Sequence, residues 1–344
     1  KVFVFASKTT YPGYEHYEKY LEDLRRQHVS IILCDSTFKR DIYQNINASM
    51  ALRQLLIKED IDVIHSHAAV PSMVAMIARS GLNRYIPILQ TMHGWGMNKT
   101  MEQEKMDVFL LDCVDQVIAV SKGDYILLRS LGVQNPNMRV LYNGICECLN
   151  CEYEYDDPDW QKLISLRQSG VKIIGCIGTI GKRKNQALLV DALNKIPSDC
   201  GKIMAVFIGE GDIEMLRQLA DELGIRGSVV FTGYKKEASH FLKLMDMLVL
   251  PSVSEGLPLS LVEGMREKVI RVGSNIPGIN EVIADGETGF LFPSGDADSL
   301  ARVLIHVLEM DDAEKKRIID KAYADFKARF TLDKMISCHL DLYN

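Results

Sequence analysis

Short apolar runs alternate with amphipathic segments from one end of the chain to the other. Helical spacing of apolar residues recurs between the runs, as in Glu15 to Arg26 and Val70 to Ser80. This alternation is typical of parallel sheets covered by helices. In the first half, the runs that predict strands are Val2 to Ala6, Ser30 to Cys34, Val63 to His65, Ile88 to Met92, Gln116 to Val120 and Arg139 to Tyr142.

The stretch from Cys146 to Asp159 interrupts this rhythm, and it is interpreted as a linker because it contains many acids, three cysteines and Pro158. The rhythm then restarts. Two segments, Asn185 to Ile196 and the one that begins at Ile213, carry apolar stripes that predict core-facing helices. The later strands are predicted at Lys172 to Ile177, Met204 to Ile208, Ser228 to Phe231, Met247 to Leu250, Val269 to Val272 and Gly289 to Phe292.

The pattern therefore predicts an α/β protein of two Rossmann-like domains with mostly parallel sheets. We expect an N-terminal domain over residues 1–150, a linker over 151–170, a second domain over 171–325 and a C-terminal helix over 326–344 that packs back on the first domain. Ligands of such sheets bind at the carboxyl ends of the strands, so we expect a site in a cleft between the two domains.

Composition narrows the class of protein. With 344 residues, 47% hydrophobic and 25% charged, the chain is typical of a water-soluble two-domain protein. A net charge of −6 argues against a nucleic-acid partner. No apolar stretch approaches the roughly 20 residues that span a bilayer, which predicts a cytoplasmic location. The eight cysteines are expected to be reduced, and Cys146, Cys148 and Cys151 lack a fourth metal ligand, so no metal site is predicted.

Two glutamates flank a predicted helix start in the second half. Seven residues separate Glu255 from Glu263, and Pro258 suits the first turn of a helix predicted from Leu259 to Glu267. The turn at Gly256 and Leu257 then gathers free backbone N–H groups, which attract phosphate. The segment suits a diphosphate that carries sugars at both ends. In the alternative, Glu255 only complements the helix dipole and Glu263 is a solvated surface acid.

A basic loop supplies the complementary charge. Lys182, Arg183 and Lys184 follow a strand and precede a helix, where cations are unfavourable beside the positive end of the helix dipole. This favours a phosphate clamp over a solvated helix start. In the first half, His93 directly follows the strand Ile88 to Met92 and should project from its carboxyl end. His65 and His67 are interpreted as structural or acceptor-side residues, because they lack a nearby acid that would complete a metal site.

Several of these segments resemble the retaining glycosyltransferases of family 4, which have the GT-B fold and an E-x7-E signature. The run E-G-L-P-L-S-L-V-E from Glu255 to Glu263 resembles that signature, and the basic loop resembles the family's diphosphate-binding element, except that Thr179 replaces an arginine. Thr91-Met92-His93-Gly94, Val117 to Ser121 and Val140 to Ile145 are also similar to family elements.

The resemblance implies a role for each matching residue. Arg183, Lys184, Gly256 and Leu257 would bind the donor diphosphate, and Gly13 would lie near it. Glu255 would bind the donor sugar and Glu263 the ribose. Gly233 and Tyr234, in a run similar to the family's F-x-G element, would lie beside the nucleobase. His93 would contact the transferred sugar, so His93, Lys184 and Glu255 are the predicted catalytic residues.

The expected reaction moves a sugar from a nucleotide-sugar donor, a UDP-sugar in the first instance, to a glycan or lipid-linked acceptor in cell-surface polysaccharide synthesis. No cofactor is expected, and peripheral association with the inner face of a membrane stays open. Two alternatives share the fold: a nucleotide-sugar 2-epimerase and a non-catalytic nucleotide-sugar-binding subunit. A dinucleotide oxidoreductase is disfavoured because Gly209 and Gly211 are followed by Glu214 where a third glycine is needed.

Overall fold

The structure is a computed structural model, and it describes residues 1–8, 17–35, 39–96, 99–148 and 156–343. The chain forms two compact units. The first comprises Lys1–Val120 and Asp124–Val140, and the second comprises Ser121–Gly123 and the rest of the chain from Leu141. No helix among the described residues is both long and apolar enough to cross a membrane.

Two parallel sheets form the first unit. One pairs β1 with β2, and the other has the order β3-β4-β5-β6. Its elements are β1 Phe3–Ser7, α1 Tyr17–Arg26, β2 Ser30–Cys34, α2 Ile42–Lys58, β3 Ile64–Ser66, α3 Ala69–Arg79, β4 Ile88–Met92, α4 Met101–Cys113, β5 Gln116–Ala119, α5 Lys122–Ser130 and β6 Met138–Val140. The core packs Leu52 and Val74 of the helices against Ile88 and Val117 of the sheet. The alternation of strands and helices is thus confirmed here.

A six-stranded parallel sheet organises the second unit, with the order β12-β11-β10-β7-β8-β9. Its elements are α6 Pro158–Gln168, β7 Lys172–Ile177, α7 Gln186–Leu193, β8 Ile203–Ile208, α8 Ile213–Glu222, β9 Val229–Gly233, β10 Met247–Leu250, α9 Leu259–Arg266, β11 Ile270–Ser274, α10 Ile279–Val282, β12 Phe290–Phe292, α11 Ala297–Glu309, α12 Asp312–Arg329 and α13 Leu332–Tyr343. Because β10 pairs with β7 rather than β9, the order reverses between these two strands. Ligands of open α/β sheets bind at such a switch point.

The apolar stripes predicted for two helices of this unit face its core. Leu189 and Leu193 of α7 and Leu216 and Ala220 of α8 are buried against the sheet. Phe207 and Val249 lie opposite them in the same cluster. The helical stripe of α7 ends earlier than predicted, at Leu193 rather than Ile196.

The segment predicted as a linker contains a folded helix. Residues 151–155 lie outside the described part, but Asp157 caps α6 by accepting hydrogen bonds from Asp159 N and Trp160 N, with Pro158 at the first helical position. Trp160 is buried and packs edge-on against Phe241 at 5.5 Å between ring centroids. The acids and proline that suggested a linker are therefore a helix start.

The first unit ends at Val140 instead of the predicted residue 150. The reason is a pairing between distant segments, in which Ile145 N donates to Phe330 O at 2.9 Å and Leu332 N donates to Ile145 O at 2.8 Å. Gly144 permits this approach, because a Cβ there would lie 2.2 Å from Thr331 O. In place of the single C-terminal helix predicted from residue 326, Phe326 is buried within α12, and α13 starts at Leu332.

Candidate functional site

The loop between β7 and α7 is held by close backbone contacts. Gly178 N donates to Ile208 O at 2.9 Å and Ile180 N donates to Glu210 O at 2.6 Å. A Cβ on Gly209 would lie 2.2 Å from Gly178 O, and one on Gly211 would lie 2.0 Å from Ile180 O. Glycine is therefore required at both positions for this packing of two loops, which accounts for them without a dinucleotide.

Gln186 braces the same loop from inside. Its buried side chain accepts a hydrogen bond from Gly181 N at 3.2 Å and donates to Thr179 O at 3.1 Å. The aliphatic stem of Lys184 lies against Gly178, where a Cβ would be 3.3 Å from Lys184 Cε. The loop therefore presents Lys184 from a braced backbone.

Lys184 and Arg183 both contact Glu255 at the switch point of the sheet. Lys184 Nζ lies 2.8 Å from Glu255 Oε1, and Arg183 donates to Glu255 Oε2 at 2.9 Å. Arg183 also donates to Ser254 O at 3.1 Å and accepts from Val253 N through its carbonyl at 2.9 Å. The loops that follow β7 and β10 are thus joined by two ion pairs and two hydrogen bonds.

Burial makes this cluster stronger than a surface ion pair. The Glu255 side chain is 6% exposed and the Lys184 side chain 13%, so solvent and salt screen their attraction weakly. Arg183 is about half exposed and Lys182 is exposed; no ion pair joins Lys182 to any part of the chain that the structure describes. The predicted basic run therefore divides into two engaged cations and one solvated cation, and Thr179 is also exposed.

Cys176 is a neighbour of this cluster that the sequence interpretation treated only as one of eight reduced cysteines. Cys176 lies at the end of β7 and is buried, and burial raises the pKa of its thiol to about 12, partly opposed by Lys184. The thiol is therefore neutral and acts as a small apolar group beneath the ion pairs.

Helix α9 presents Glu263 one turn from its start. Pro258 precedes the helix at the N-cap instead of occupying its first turn, and α9 ends at Arg266, one residue before the predicted Glu267. Burial raises the pKa of the Glu263 carboxyl above its ordinary value, with the positive charge of Arg266 opposing the shift. Glu263 is therefore not a solvated surface acid.

The turn at Gly256 and Leu257 packs tightly against the loop that follows β11. Gly278 has φ 84°, and a Cβ there would lie 2.3 Å from Gly256 O. Leu257 is buried.

At the far side of the sheet, Gly233 ends β9 with φ 70° and accepts a hydrogen bond from Gly209 N at 2.9 Å, while Tyr234 beside it is exposed.

Three histidines form a row at the carboxyl edge of the first unit's four-stranded sheet. His93 follows β4, as predicted, and is exposed. His67 Nδ1 lies 3.0 Å from His93 Nε2, and the His65 ring stacks on His67 with 4.6 Å between centroids. His65 Nε2 lies 2.7 Å from Thr91 Oγ1.

The loop after His93 is tied to α4. Lys99 Nζ lies 3.3 Å from the centroid of the Trp95 ring and 2.9 Å from Asp107 Oδ2. Arg40 forms a second ion pair with the buried Asp107 at 2.5 Å. Asp107 thus balances two cations and anchors the loop.

Gly13, predicted to lie near the donor diphosphate, falls outside the described residues, as does Cys151 of the cysteine cluster. Among the described residues, no group of three or more His, Cys, Asp and Glu side chains is arranged to hold a metal ion. Cys146 and Cys148 are exposed thiols.

Two family models match the chain in succession. Residues 1–146 match the model described as Glycosyltransferase Family 4, and residues 161–325 match the model described as Glycosyl transferases group 1. The basic loop and both glutamates of the E-x7-E run lie in the second match, and His93 lies in the first.

A solved structure shows the fold. The crystal structure of Anabaena Alr3699/HepE in complex with UDP and glucose superposes with a TM-score of 0.82 at 18% identity, covering 99% of each chain. The chain is a glycosyltransferase of the GT-B fold.

Curated glycosyltransferases are similar over most of its length. The putative glycosyltransferase EpsD of Bacillus subtilis (strain 168) is 28% identical over 75% of this chain and 70% of its own length. The UDP-Gal:alpha-D-GlcNAc-diphosphoundecaprenol alpha-1,3-galactosyltransferase of Escherichia coli is 23% identical over 94% of this chain and 86% of its own length.

Some residues that shape this glycosyltransferase's candidate site were missed from sequence. Gln186 lies two residues after Lys184, at the start of a predicted helix, and this position was the available signal for a side chain that hydrogen-bonds back to the loop. His67 was assigned a structural or acceptor-side role, and its contact with His93 was not predicted. The adjacency of β3 and β4 in sequence was the available signal for that contact.

Proposed function

We propose that the chain is a retaining glycosyltransferase that moves a sugar from a UDP-sugar to a glycan or lipid-linked acceptor in polysaccharide synthesis. The observation that carries the proposal is the cluster of Lys184, Arg183 and Glu255 at the switch point of the second unit's sheet. A nucleotide diphosphate needs cations there, and a sugar needs a hydrogen-bond acceptor beside them. Two relatives support the nucleotide: HepE was crystallised with UDP and glucose, and the Escherichia coli galactosyltransferase is named for UDP-Gal.

In this proposal, each side chain keeps the role that the family resemblance implies. Lys184 and Arg183 neutralise the diphosphate, with the backbone amides of Gly256 and Leu257 as further donors. Glu255 accepts hydrogen bonds from the donor sugar.

Glu263 accepts hydrogen bonds from the ribose hydroxyls in the same proposal. Gly233 and Tyr234 line the nucleobase, Gly13 lies near the diphosphate, and His93 contacts the transferred sugar. The partly buried position of Glu263 supports a ligand contact over a solvated role.

Transfer with retention forms one bond and breaks one at the same carbon. The acceptor hydroxyl oxygen bonds to the anomeric carbon on the face from which the diphosphate oxygen departs. The electron pair of the broken bond stays on that phosphate oxygen, which takes the acceptor's proton. Lys184 and Arg183 stabilise the charge that develops there, so no side chain has to act as the nucleophile.

Substitution of Lys184 tests the proposal. We expect Lys184→Ala to lower kcat/KM for transfer from UDP-sugars by about 100-fold or more, as loss of one group that stabilises developing charge does. Lys182→Ala, which removes an exposed cation of the same loop, is the matched control and should stay within about twofold. A radiolabelled panel of UDP-glucose, UDP-galactose and UDP-N-acetylglucosamine with glycan and lipid-linked acceptors measures the reaction.

The same panel separates the alternatives. Acceptor-independent release of UDP with an altered sugar would establish the 2-epimerase, and binding without turnover would establish the non-catalytic subunit. Equal activity of Lys184→Ala and the wild type would contradict the assigned clamp.

We further propose that the first unit associates peripherally with anionic membranes, because α2 presents an apolar outer face. Ile42, Tyr43, Ile46, Met50 and Ile57 of α2 are 42% to 81% exposed. At 100° per residue these five positions fall on one side of the helix, away from the buried Leu52 and Leu56. The helix contains no acid; its basic residues are Lys58 and Arg53, and the Arg53 guanidinium donates to Ala78 O and Ser80 O. An apolar face with basic residues is typical of helices that lie in the lipid headgroup region.

Vesicle binding tests this face. We expect the protein to sediment with vesicles that contain phosphatidylglycerol, and Met50→Glu to weaken that binding by about tenfold, since burial of one large apolar side chain is worth about 1.5–3 kcal/mol. Met215→Glu, at an exposed apolar position of the second unit, is the control and should bind as the wild type does. Equal sedimentation of wild type and Met50→Glu would contradict the assignment, as would self-association through this face in analytical ultracentrifugation.

A further inference from the structure

His67 has no contact role in the transfer proposed above, yet its ring meets that of His93. His67 Nδ1 and His93 Nε2 are 3.0 Å apart, a normal hydrogen-bond distance. The two rings are nearly parallel, at 17°, with 5.2 Å between centroids. A short nitrogen-to-nitrogen distance between nearly parallel rings is the geometry of an edge-to-edge hydrogen bond.

The sheet places these two histidines together. β3 and β4 are parallel neighbours with His65 opposite Leu89 and Ser66 opposite Gln90. Each histidine of the pair is the first residue after its strand, so both lie at the same carboxyl edge. Side chains alternate along a strand, which puts His65 and His67 on one side and allows their rings to stack.

Buried hydroxyl groups hold the two strand ends in place. Ser66 donates to Leu89 O at 3.0 Å, and its oxygen lies 2.6 Å from that of Ser72. Ser72 donates to Gln90 Oε1 at 2.5 Å. These side chains are buried on the face of the sheet opposite His65 and His67, and they hold together the backbone of the two strands that carry His67 and His93.

The chemistry of the contact restricts both rings. A hydrogen bond between two imidazole nitrogens contains one hydrogen, so one ring donates and the other accepts. The contact therefore ties which nitrogen of His93 carries hydrogen to the state of His67, and it also fixes the rotation of the His93 ring. A histidine that meets a sugar hydroxyl through its remaining nitrogen depends on both.

We infer that His67 is a positioning residue that sets the orientation and tautomer of His93. The inference rests on the proposed contact between His93 and the transferred sugar. Removal of the hydrogen-bond partners that orient metal-binding histidines typically costs about 10-fold to 100-fold in affinity or activity, and we expect a change of similar size for this metal-free pair. The effect should fall on kcat rather than on donor KM, because the diphosphate clamp of the second unit supplies the donor's charged contacts.

Three variants of the 344-residue chain test the inference. His67→Ala should lower kcat by about 10-fold or more with donor KM within about threefold. His67→Asn should restore most of that loss, because the asparagine side-chain amide occupies the position of the imidazole Nδ1 and can donate or accept. His28→Asn replaces an exposed histidine outside the row, at a φ of 59° that asparagine tolerates, and it should stay near wild-type kcat.

The spectrum of 15N-labelled histidine supplies a readout that does not require turnover. The His93 ring should show one dominant tautomer in the wild type and in His67→Asn, and a mixture in His67→Ala. The same tautomer in all three proteins would overturn the role of His67, as would full kcat in His67→Ala. Absence of turnover or binding with every nucleotide sugar would instead remove the proposed function, and with it this role, while the tautomer result would still report on the contact itself.

Discussion

The cationic loop of the second unit and the histidine row of the first unit occupy the same kind of position in a sheet, but their side chains differ in charge. Each lies where neighbouring parallel strands end, β7 and β10 in one case and β3 and β4 in the other. Lys184 and Glu255 are oppositely charged and largely buried, whereas His67 and His93 are alike and exposed. Lys184 and Glu255 therefore form an ion pair, whereas His67 and His93 can interact only through one shared hydrogen.

This difference sets how each cluster responds to a ligand. In the second unit, Glu255 occupies the two cations that the proposed diphosphate needs. In the proposed complex, the diphosphate competes with this carboxylate for Lys184 and Arg183, and phosphate oxygens that take up these cations leave more of the Glu255 acceptor sites to a sugar hydroxyl. In the first unit, the histidine contact leaves an exposed ring in a defined orientation.

Neutralising Glu255 should remove the charge difference between the two clusters, and we expect it to have the largest effect on ligand binding and transfer. Glu255→Gln removes the charge that competes for Lys184 and Arg183, so the affinity for UDP alone should rise by about tenfold, or about 1.4 kcal/mol. Transfer should nevertheless fall by about 100-fold in kcat/KM, because the sugar loses a charged hydrogen-bond acceptor. Titration calorimetry with UDP and the transfer assay measure the two effects.

Glu210→Gln is the matched control for that variant. Glu210 is an exposed acid on the neighbouring loop, and its backbone carbonyl, not its side chain, contacts Ile180. Its replacement should change neither quantity by more than about twofold. Weaker binding of UDP by Glu255→Gln would show that the carboxylate orders the cations for phosphate instead of competing with it.

Most of the fold could be predicted from local pattern. The bounds of β2, β4, β7 and β10 agree with the predicted strands, because each is a short apolar run with polar or turn residues at its ends. The boundary between the units could not be predicted in this way. It depends on hydrogen bonds between Ile145 and the segment at Phe330, which are far apart in sequence, and no periodicity reports such a pairing.

The residues of the candidate site could be predicted from local sequence, but not all of their contacts could. The sequence identified Lys184 and Glu255 separately, from a basic loop and a helix start, but their ion pair depends on β10 lying next to β7 in the sheet. Strand order at a switch point is a tertiary property. The contact between His67 and His93 involves strands that are consecutive in the chain, which commonly pair, and could have been predicted.

Neutralising the partly buried Glu263 should have the smallest effect of these variants, a change of a few degrees in Tm. Burial raises the pKa of this carboxyl, so the folded state holds its proton more tightly than the unfolded state does. Stability therefore falls as pH rises from the ordinary value of about 4.3 through the raised value, and stays lower above it. Glu263→Gln cannot ionise, so its Tm should exceed that of the wild type by a few degrees at neutral pH, and the gain should vanish in acid.

Glu267→Gln provides a control of opposite sign. Glu267 lies four residues further along and pairs with Arg266 at 2.7 Å, with both side chains largely buried. Its neutralisation leaves a buried guanidinium without its partner and should lower Tm at neutral pH. Thermal unfolding followed by circular dichroism across the pH range measures both variants. A lower Tm of Glu263→Gln at neutral pH would mean that the protein stabilises the ionised Glu263 carboxylate without a ligand. The proposed ribose hydroxyls would then have to replace the protein groups that do so.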